Sequence, residues 1–167
     1  MTDVSDVLVD AFGQRHPLAD SSARIVSLVP SITELLFDLE LGSQVVGRTG
    51  FCIHPRYAVG KVPKLGGTKD VDIDALLALK PSHVIVNIDE NTREMFESLR
   101  TRVPHVVVTH PNTPTDNLAL YALLGGIFAR EAQTAVLVAE FHAALANLRA
   151  TVRSHAGNIG SISHGRA

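Results

Sequence analysis

Five side chains that can bind a metal ion or take part in covalent chemistry lie in three short segments of this sequence. Cys52 and His54 are two residues apart, Asp89 and Glu90 are adjacent, and His110 follows an apolar run. Thiolate, imidazole and carboxylate groups are ligands that zinc and cobalt accept. A cysteine with a histidine as its general base is also a nucleophilic pair. A metal site and a Cys52–His110 active site are therefore both open at this point.

The arrangement of these residues nevertheless favours binding over catalysis. A single Cys-x-His pair is a weak metal signal, and no nucleophile-elbow motif surrounds Cys52. The segment Gly66-Gly67-Thr68-Lys69 lacks the phosphate-loop spacing and is interpreted as a tight turn. Asp89 and Glu90 are of the residue type that is favourable at a helix N-terminus. Because no reaction demands this set of groups, we expect a ligand-binding rim, no catalytic residue and no resident metal or cofactor.

The composition excludes several classes of protein. A chain of 167 residues with 46% hydrophobic and 19% charged residues is expected to form one folded domain. The net charge is −2, and there is no Trp and only two Tyr, so a nucleic-acid partner is not expected. The single cysteine, Cys52, excludes an intrachain disulfide.

The first residues of the sequence do not have the pattern of a secretory signal. Asp3, Asp6 and Asp10 lie among the first ten residues, which contain no Lys or Arg, and the longest early apolar run covers residues 7–9. No uninterrupted apolar stretch approaches the roughly 20 residues of a membrane helix. We therefore predict a cytoplasmic protein without membrane insertion.

Three runs of β-branched and apolar residues predict strands of a parallel sheet. They cover residues 25–29, 83–88 and 105–109, and each is nearly continuous in apolar residues rather than alternating. Continuous runs are typical of parallel strands that are buried on both faces. A weaker fourth strand is predicted at residues 45–47.

Capping motifs predict two of the helices between these strands. Ser31-Ile32-Thr33-Glu34 is a capping box that opens a helix over residues 32–39, and Gly42 stops this helix. Asn91-Thr92-Arg93-Glu94 has the same pattern and opens a helix that reaches about Arg102.

Two more helices complete the alternation of strands and helices. Residues 72–80 form a short amphipathic segment ended by Pro81, and Thr113-Pro114 opens a helix that Gly125-Gly126 closes. Regular alternation is typical of parallel βαβ units with right-handed crossovers. We therefore predict the α/β class, as a three-layer α/β/α Rossmann-like lobe with helices on both faces of a parallel sheet.

A long helix is predicted to follow this lobe. Residues 130–154 contain no Gly or Pro, and at 1.5 Å per residue such a helix is about 36 Å long. Residues 155–167 show no strand pattern and are expected to form a disordered tail. The apolar residues of the helix recur on one face: Leu137, Phe141, Leu145, Leu148 and Val152.

The loops that follow the predicted strands are expected to form the ligand site, because ligands of open parallel sheets bind at the carboxyl ends of the strands. Cys52 lies between Gly50 and Pro55 in one of these loops and is expected to be partly accessible. The predicted ligand-binding residues are Phe51, Cys52, His54, Thr68, Lys69, Asn87, Asp89, Glu90 and His110.

Three segments resemble the substrate-binding proteins of ABC transporters for vitamin B12 and iron–siderophores. Residues 24–35, RIVSLVPSITEL, resemble the opening of that family. Residues 45–48, VVGR, are similar to its second strand, and residues 74–85, DALLALKPSHVI, look like its segment of acid, short helix, Leu-Lys-Pro and strand. The resemblance runs from about Arg24 to Arg153 and is greatest to the cobalamin-binding branch, which includes helical-backbone metal receptors.

This resemblance implies a division of the chain. Members of the family have two α/β lobes joined by one long rigid helix, with the ligand in the cleft between the lobes. Residues 1–23 would be an N-terminal extension, 24–129 the N-terminal lobe, 130–154 the backbone helix and 155–167 a tail, with the second lobe missing. The resemblance would also place members of the family in the periplasm.

The resemblance also implies roles for individual residues. Phe51 falls where the B12 binders carry an aromatic residue, and Thr68 and Asn87 fall at two further aromatic positions. Asp74 falls at the position of a glutamate that docks on the membrane permease. The implied ligand is cobalamin or another metal-bearing small molecule, and the implied partner is an ABC permease.

Three functions remain open from the sequence. The leading one is a binding module and not an enzyme, namely a truncated N-terminal lobe of an uptake system's substrate-binding component. The alternative is a cytosolic metal-binding protein or enzyme that uses Cys52, His54 and His110. The third is a truncated product without function. For the first, we expect weak corrinoid binding by one lobe and self-association through the last helix.

Overall fold

The structure is a computed structural model that describes residues 8–160, with side chains described up to residue 158. The chain divides into two compact units, one that extends to Thr134 and one that begins at Ala135. The described residues form four strands and six α-helices: β1 Ile25–Ser27, α1 Pro30–Asp38, β2 Val45–Arg48, α2 Arg56–Val59, α3 Ile73–Ala78, β3 His83–Asn87, α4 Arg93–Arg100, β4 His105–Thr109, α5 Asp116–Ile127 and α6 Glu131–Gly160.

The four strands form one parallel sheet in the order β2-β1-β3-β4. The longest pairing joins β3 to β4 over five residues, from His83 opposite His105 to Asn87 opposite Thr109. Each strand begins at its predicted first residue and ends within two residues of its predicted end. The predicted α/β class and parallel sheet are confirmed.

The strands are buried on both faces, which explains their continuous apolar sequence. Alternate strand residues contribute to one hydrophobic cluster with residues of α3 and α4. The residues between them, such as Ile25, Ile85 and Val107, are also fully buried. The cluster includes Val26, Leu28, Leu76, Val84, Val86, Met95, Leu99, Val106 and Val108.

The predicted capping box of α1 is wrong. The helix begins at Pro30, its N-cap is Val29, and no side chain makes a capping hydrogen bond. Ser31 and Glu34 lie inside the helix and are exposed. The reason is Pro30, because its fixed φ suits the first helical position and its missing N–H needs no cap.

Helices α1 and α5 end within one residue of their predicted ends, at Asp38 and Ile127, but the predicted glycines do not terminate them. Glu40 takes the left-handed conformation after α1, with φ of 59°, and Leu41 N donates to Leu36 O at 2.9 Å. Gly125 and Gly126 lie inside α5. A Cβ at Gly126 would overlap the Leu8 side chain, so this glycine permits close packing rather than helix termination.

Two N-caps lie at or near the predicted positions. Asp72 accepts a hydrogen bond from Ala75 N at 2.9 Å and caps α3. Thr92 accepts from Met95 N at 3.2 Å and caps α4, one residue after the predicted Asn91. The shift leaves the Asn91 side chain free for contacts at the carboxyl edge of the sheet.

The predicted N-cap of α5, Thr113, lies in a turn that precedes the helix. Asp116, the first residue of α5, donates its backbone N–H to Thr113 Oγ1 at 3.3 Å, and Asp116 Oδ2 accepts from Thr113 N at 2.9 Å. The helix therefore begins three residues after Thr113 and not at Pro114, although the capping chemistry is of the predicted kind.

Residues 8–16, here called the N-terminal strap, cover the outer edge of β4. Ala11 N donates to Val108 O at 3.0 Å. Val9 and Arg15 form an antiparallel bridge within the strap, and Gly13 takes a positive φ of 76° at its turn. A sheet edge that is covered in this way is protected from pairing with another chain.

The last helix, α6, is longer than predicted and ends at Gly160. Residues 155–160, predicted as part of a disordered tail, are therefore helical, and residues 161–167 lie outside the described residues. Leu148 and Val152 on the predicted apolar face are 61% and 60% exposed.

The segment Glu131–Asn158 of α6 is long and apolar enough, by length and composition alone, to cross a membrane. Its most apolar stretch of 18 residues has a mean hydropathy of 1.2, and none of that stretch is buried. This helix reaches the criterion by its mean hydropathy, whereas its apolar residues are interrupted by charged ones, such as Glu140 and Arg149. Core helices of soluble proteins satisfy the same criterion.

Candidate ligand-binding rim

The carboxyl ends of the four strands bring four loops to one edge of the sheet. Here the rim means residues 49–55 and 66–70 after β2, residues 87–91 at the end of β3, and His110 after β4. All nine predicted ligand-binding residues lie in these segments. Their burial and hydrogen bonds differ, so they have different roles.

The side chain of Arg48 supports the first rim loop, residues 49–55, through hydrogen bonds to backbone carbonyls. Its side chain is buried, and the guanidinium donates from Nε to Val62 O at 3.0 Å and from Nη1 to Cys52 O at 2.9 Å. A buried cation needs such partners to offset its lost hydration. The sequence analysis gave Arg48 no separate role, because a lone arginine at a strand end has no sequence signature.

Cys52 is not on the accessible rim, contrary to the prediction. The residue is 1% exposed, and its Sγ lies 3.1 Å from both Thr33 Oγ1 and Thr49 Oγ1. Thr33 lies in α1, so burial of the thiol depends on a residue 19 positions away. A cysteine held in this way packs the base of the loop.

The alternative site of Cys52, His54 and His110 is contradicted by this geometry. Within residues 8–160, no group of three or more His, Cys, Asp and Glu side chains can hold a metal ion. His54 is exposed beside a cis peptide bond to Pro55, and the His110 ring pairs with Asp89. The hydrogen-bond neighbours of the Cys52 thiol are the hydroxyl groups of Thr33 and Thr49.

Phe51 is the most prominent apolar side chain of the rim and is 65% exposed. It borders a shallow cavity of about 390 Å³ with glycines on the facing loop. Gly50 N donates to Gly66 O at 2.7 Å, which joins the two loops. Gly66 has φ of 100° and a Cβ there would lie 2.6 Å from Asp70 O, so only glycine fits.

Asn91 joins three parts of the rim. Its Nδ2 donates to Thr68 O at 2.8 Å and to Leu28 O at 3.2 Å, and its Oδ1 accepts from Asn87 N at 2.8 Å. The buried amide thus ties the 66–70 loop to the ends of β1 and β3. The sequence analysis missed this role because Asn91 also fits a helix cap.

Asn87 supports the loop that carries the two predicted carboxylates. Its Oδ1 accepts from Asp89 N at 2.8 Å and from Glu90 N at 3.3 Å. The residue is buried, so its side chain orders the turn from beneath. Asp89 is exposed and Glu90 is half-buried on this ordered turn.

Asp89 and His110 connect the loops of β3 and β4. Asp89 Oδ2 lies 3.1 Å from His110 Nε2, with side-chain exposures of 66% and 33%. An exposed pair of this kind contributes little to stability. Both groups keep surface that a ligand can contact.

The remaining predicted residues are placed as follows. Thr68 is half-buried, and Lys69 is exposed on the same loop. Asp74, the predicted docking residue, is exposed in the first turn of α3. The rim therefore presents one aromatic ring, a glycine-lined surface and a few charged groups, which is a binding arrangement for a small molecule.

Known proteins resemble this chain in sequence and in fold. A curated ABC transporter substrate-binding lipoprotein of Bacillus subtilis, YvrC, is 37% identical over 87 residues, which cover 52% of this chain and 27% of that protein. The periplasmic vitamin B12 binding protein BtuF of Vibrio cholerae superposes with a TM-score of 0.69 at 23% identity, over 78% of this chain and 51% of that one.

A third relative binds a different ligand. The periplasmic heme-binding protein RhuT from Roseiflexus sp. RS-1 superposes with a TM-score of 0.66 at 26% identity, over 80% of this chain and 51% of that one. This chain thus spans about half the length of the two solved relatives. The family described as periplasmic binding protein matches residues 25–159. The resemblance drawn from the sequence is therefore confirmed, and the chain belongs to the periplasmic binding protein family.

Proposed function

We propose that this chain is a ligand-binding lobe of the substrate-binding component of an ABC uptake system. The ligand is a bulky metal-bearing small molecule, with cobalamin as the first candidate. Family membership and the substrate-binding relative support this proposal. The named relatives are binding proteins, and we propose binding rather than catalysis for this chain as well.

The observation that carries the proposal is the exposed Phe51 ring beside the glycine-lined loop. A flat macrocycle can stack on an aromatic ring and lie close to a backbone that lacks side chains. Lys64 and Asp70 line the same cavity and can orient polar groups at the edge of the ligand.

The ligand of the solved relatives differs, since one is described as a vitamin B12 binder and others as heme binders. Both are metal macrocycles, so the shared chemistry is a large planar ring with a central metal. We place cobalamin first because the sequence resemblance is to the cobalamin-binding branch.

One lobe presents one wall to its ligand, whereas small-molecule sites bury about 70–90% of the ligand surface. We therefore expect a dissociation constant for cyanocobalamin of about 0.1–1 mM for this chain alone. Amide NMR of the labelled protein measures such weak binding residue by residue. The expected result is that the amides of Gly50, Gly66 and Gly67 shift on titration with cyanocobalamin.

The matched variants are Phe51→Ala and Tyr57→Ala, because both remove an exposed aromatic ring and only the first lies on the rim. Phe51→Ala is expected to weaken cyanocobalamin binding at least about fivefold, whereas Tyr57→Ala leaves it unchanged. Absence of shifts at millimolar cyanocobalamin, or shifts confined to residues outside the rim, would refute the assignment of ligand and site.

We further propose that Asp74 contacts a permease. Its exposed carboxylate at the start of α3 is free to pair with a cation of a membrane partner. Co-purification with a co-expressed permease is expected to fall for Asp74→Asn and not for Glu94→Gln, an exposed acid in the first turn of α4. Equal co-purification of both variants would reject this contact.

The cytoplasmic location stays a prediction. The family name and the lipoprotein relative do not support it. Fractionation of cells that express the native gene tests the cytoplasmic location. Recovery in the cytosolic fraction would support it, and recovery of a lipidated or periplasmic form would contradict it.

A further inference from the structure

Three histidines and one aspartate, none of them a predicted rim residue, are gathered along β3 and β4. His83 and His105 begin the two strands, and Asp10 and His16 come from the N-terminal strap. Asp10, His16 and His83 are buried, and His105 is half-buried. None of these groups has a role in the proposed ligand site.

The three imidazole rings lie close together. The rings of His83 and His105 stack with centroids 4.7 Å apart, and the ring of His16 lies 6.4 Å from that of His105. Phe128 packs against His83 at 5.0 Å and adds apolar surface. Protonation of two of these rings would place like charges close together in a poorly hydrated position.

Hydrogen bonds fix the strap to the sheet through Asp10. Its Oδ2 lies 2.9 Å from His16 Nε2 and accepts from Val108 N at 3.1 Å. Its Oδ1 accepts from Phe12 N and Gln14 N within the strap. The carboxylate therefore organises the strap and fastens it to β4.

Two ring nitrogens of the cluster are buried without a hydrogen-bond partner, His16 Nδ1 and His83 Nε2. His83 Nδ1 lies 2.8 Å from Ser82 Oγ. An imidazole with one unpartnered buried nitrogen gains hydration when the site opens. The stacked rings do not converge on a metal position, and within the described range no metal-binding group is found.

We propose that the N-terminal strap is an acid-released latch, closed over the β4 edge at neutral pH and opened when the neighbouring rings of His83 and His105 take up protons. Opening removes His16 from its neighbours and exposes His105. It also uncovers the β4 edge and the cavity of about 480 Å³ that Phe12 closes against α4.

The electrostatics support the direction of this switch. Burial, followed by repulsion from His105 and His16, lowers the pKa of His83 from 6.5 to about 4. Burial and then His16 lower the pKa of His105. Burial raises the pKa of Asp10, but the hydrogen bonds from His16 and three backbone amides outweigh it, and the net pKa is lowered.

These pKa shifts set the pH range in which the strap is expected to open. The groups that face the cluster are Asp10 and His16 from the strap, His83 from β3, His105 from β4 and the uncharged Phe128 after α5. Opening is expected to hydrate His83 and His105 and to separate them from His16, which returns their pKa values toward 6.5, so that the open state binds more protons below that pH. The closed state therefore loses stability from pH 6.5 down to about 4, where His83 itself titrates in the closed state.

The opening constant rises by at most about tenfold per pH unit for each histidine that recovers its ordinary pKa. Asp10 acts in the same direction at lower pH, because its depressed pKa gives stability that is present above 3.8 and lost as pH falls below that value.

The chain contains no Trp, so Phe12→Trp supplies a single fluorescent reporter in the strap. The native Phe12 ring lies 5.1 Å from the Phe96 ring, in edge-to-face contact. The emission is expected to shift to longer wavelength between pH 6.5 and about 4, while far-UV circular dichroism stays constant. No emission shift, or a shift that coincides with loss of helical signal, would overturn the latch.

The matched histidine variants are His105→Gln and His142→Gln in the Phe12→Trp background. His142 is exposed on α6 and serves as the control. His105→Gln is expected to move the midpoint at least about 0.5 pH unit lower, whereas His142→Gln leaves it in place. Equal midpoints in the two variants would also overturn the proposal.

A measurement on the unaltered chain covers the case in which His105→Gln does not fold. Hydrogen exchange of the Ala11 amide reports the strap bond to Val108 O. Its protection factor is expected to fall at least tenfold from neutral pH to about pH 4.5, while the amides of β1 keep their protection. Parallel loss of protection in both segments would show global acid unfolding and reject the latch.

Discussion

The side-chain amide of Asn91 donates to the carbonyl of Thr68 at 2.8 Å across 23 residues of sequence. The same amide also reaches Leu28 O at the end of β1. One buried side chain thus fixes the glycine-lined loop against the sheet.

Replacement of Asn91 by Asp is expected to destabilise the protein by about 2–3 kcal/mol, because two buried carbonyls lose their donor and face a carboxylate instead. Urea denaturation measures the change. Asn112→Asp is the control, since Asn112 is exposed and its variant is expected to change stability by less than about 0.5 kcal/mol. Equal effects of the two variants would contradict the structural role of Asn91.

The thiol of Cys52 is expected to react slowly with an aromatic disulfide reagent in the native protein. Its 1% exposure and its two threonine neighbours require local opening before attack. The rate should be on the order of 100-fold lower than in denaturant. A Cys52→Ser chain that carries Ser43→Cys, at an exposed position, provides the reactive control. Rapid labelling of Cys52 in the native protein would show that its thiol is accessible on the rim and would contradict its burial.

Substitution of Gly126 by Ala is expected to loosen the strap. The added Cβ would overlap Leu8 Cδ2, so the Leu8 side chain has to turn away from its present rotamer, which costs about 0.5–1.5 kcal/mol. Gly60→Ala is the control, because a Cβ there meets nothing within 4 Å and its backbone is right-handed helical. Limited proteolysis near the N-terminus should increase only for Gly126→Ala, and unchanged cleavage would contradict the packing described here.

The exposed apolar residues of α6 are expected to cause self-association of the isolated chain. Leu148→Gln should lower the sedimentation coefficient at high protein concentration. The substitution replaces an exposed apolar side chain by a polar one and removes about 1–2 kcal/mol of favourable burial from the contact between chains. Ala150→Gln, at another exposed position of α6, is the control. A monomer at all concentrations for the unaltered chain would refute this expectation.

The sequence by itself determined the sheet and its order of elements. The β-branched runs at 25–29, 83–88 and 105–109 predict strands covered on both faces. Continuous apolar segments of this length are stable in a sheet only when both faces are buried. Alternating helices then force parallel strands, and parallel strands force their loops to one edge. The rim segments were predictable for this reason.

Helix ends were less predictable, because local signals compete there with packing. Gly125 and Gly126 had the signature of a helix stop, yet both lie inside α5 where Leu8 and Thr134 approach its backbone. Glu40 takes a left-handed conformation that its own sequence does not favour, since buried Leu36 and Leu41 flank the helix end.

Only the tertiary structure decided which rim residues face solvent and which support the loops. Cys52 is buried because Thr33, in another element, hydrogen-bonds its sulfur. The histidine cluster likewise joins positions 16, 83 and 105, and no local pattern links them. Contacts between residues far apart in sequence follow from how the strands and the strap pack, because packing sets both burial and the pKa of each group.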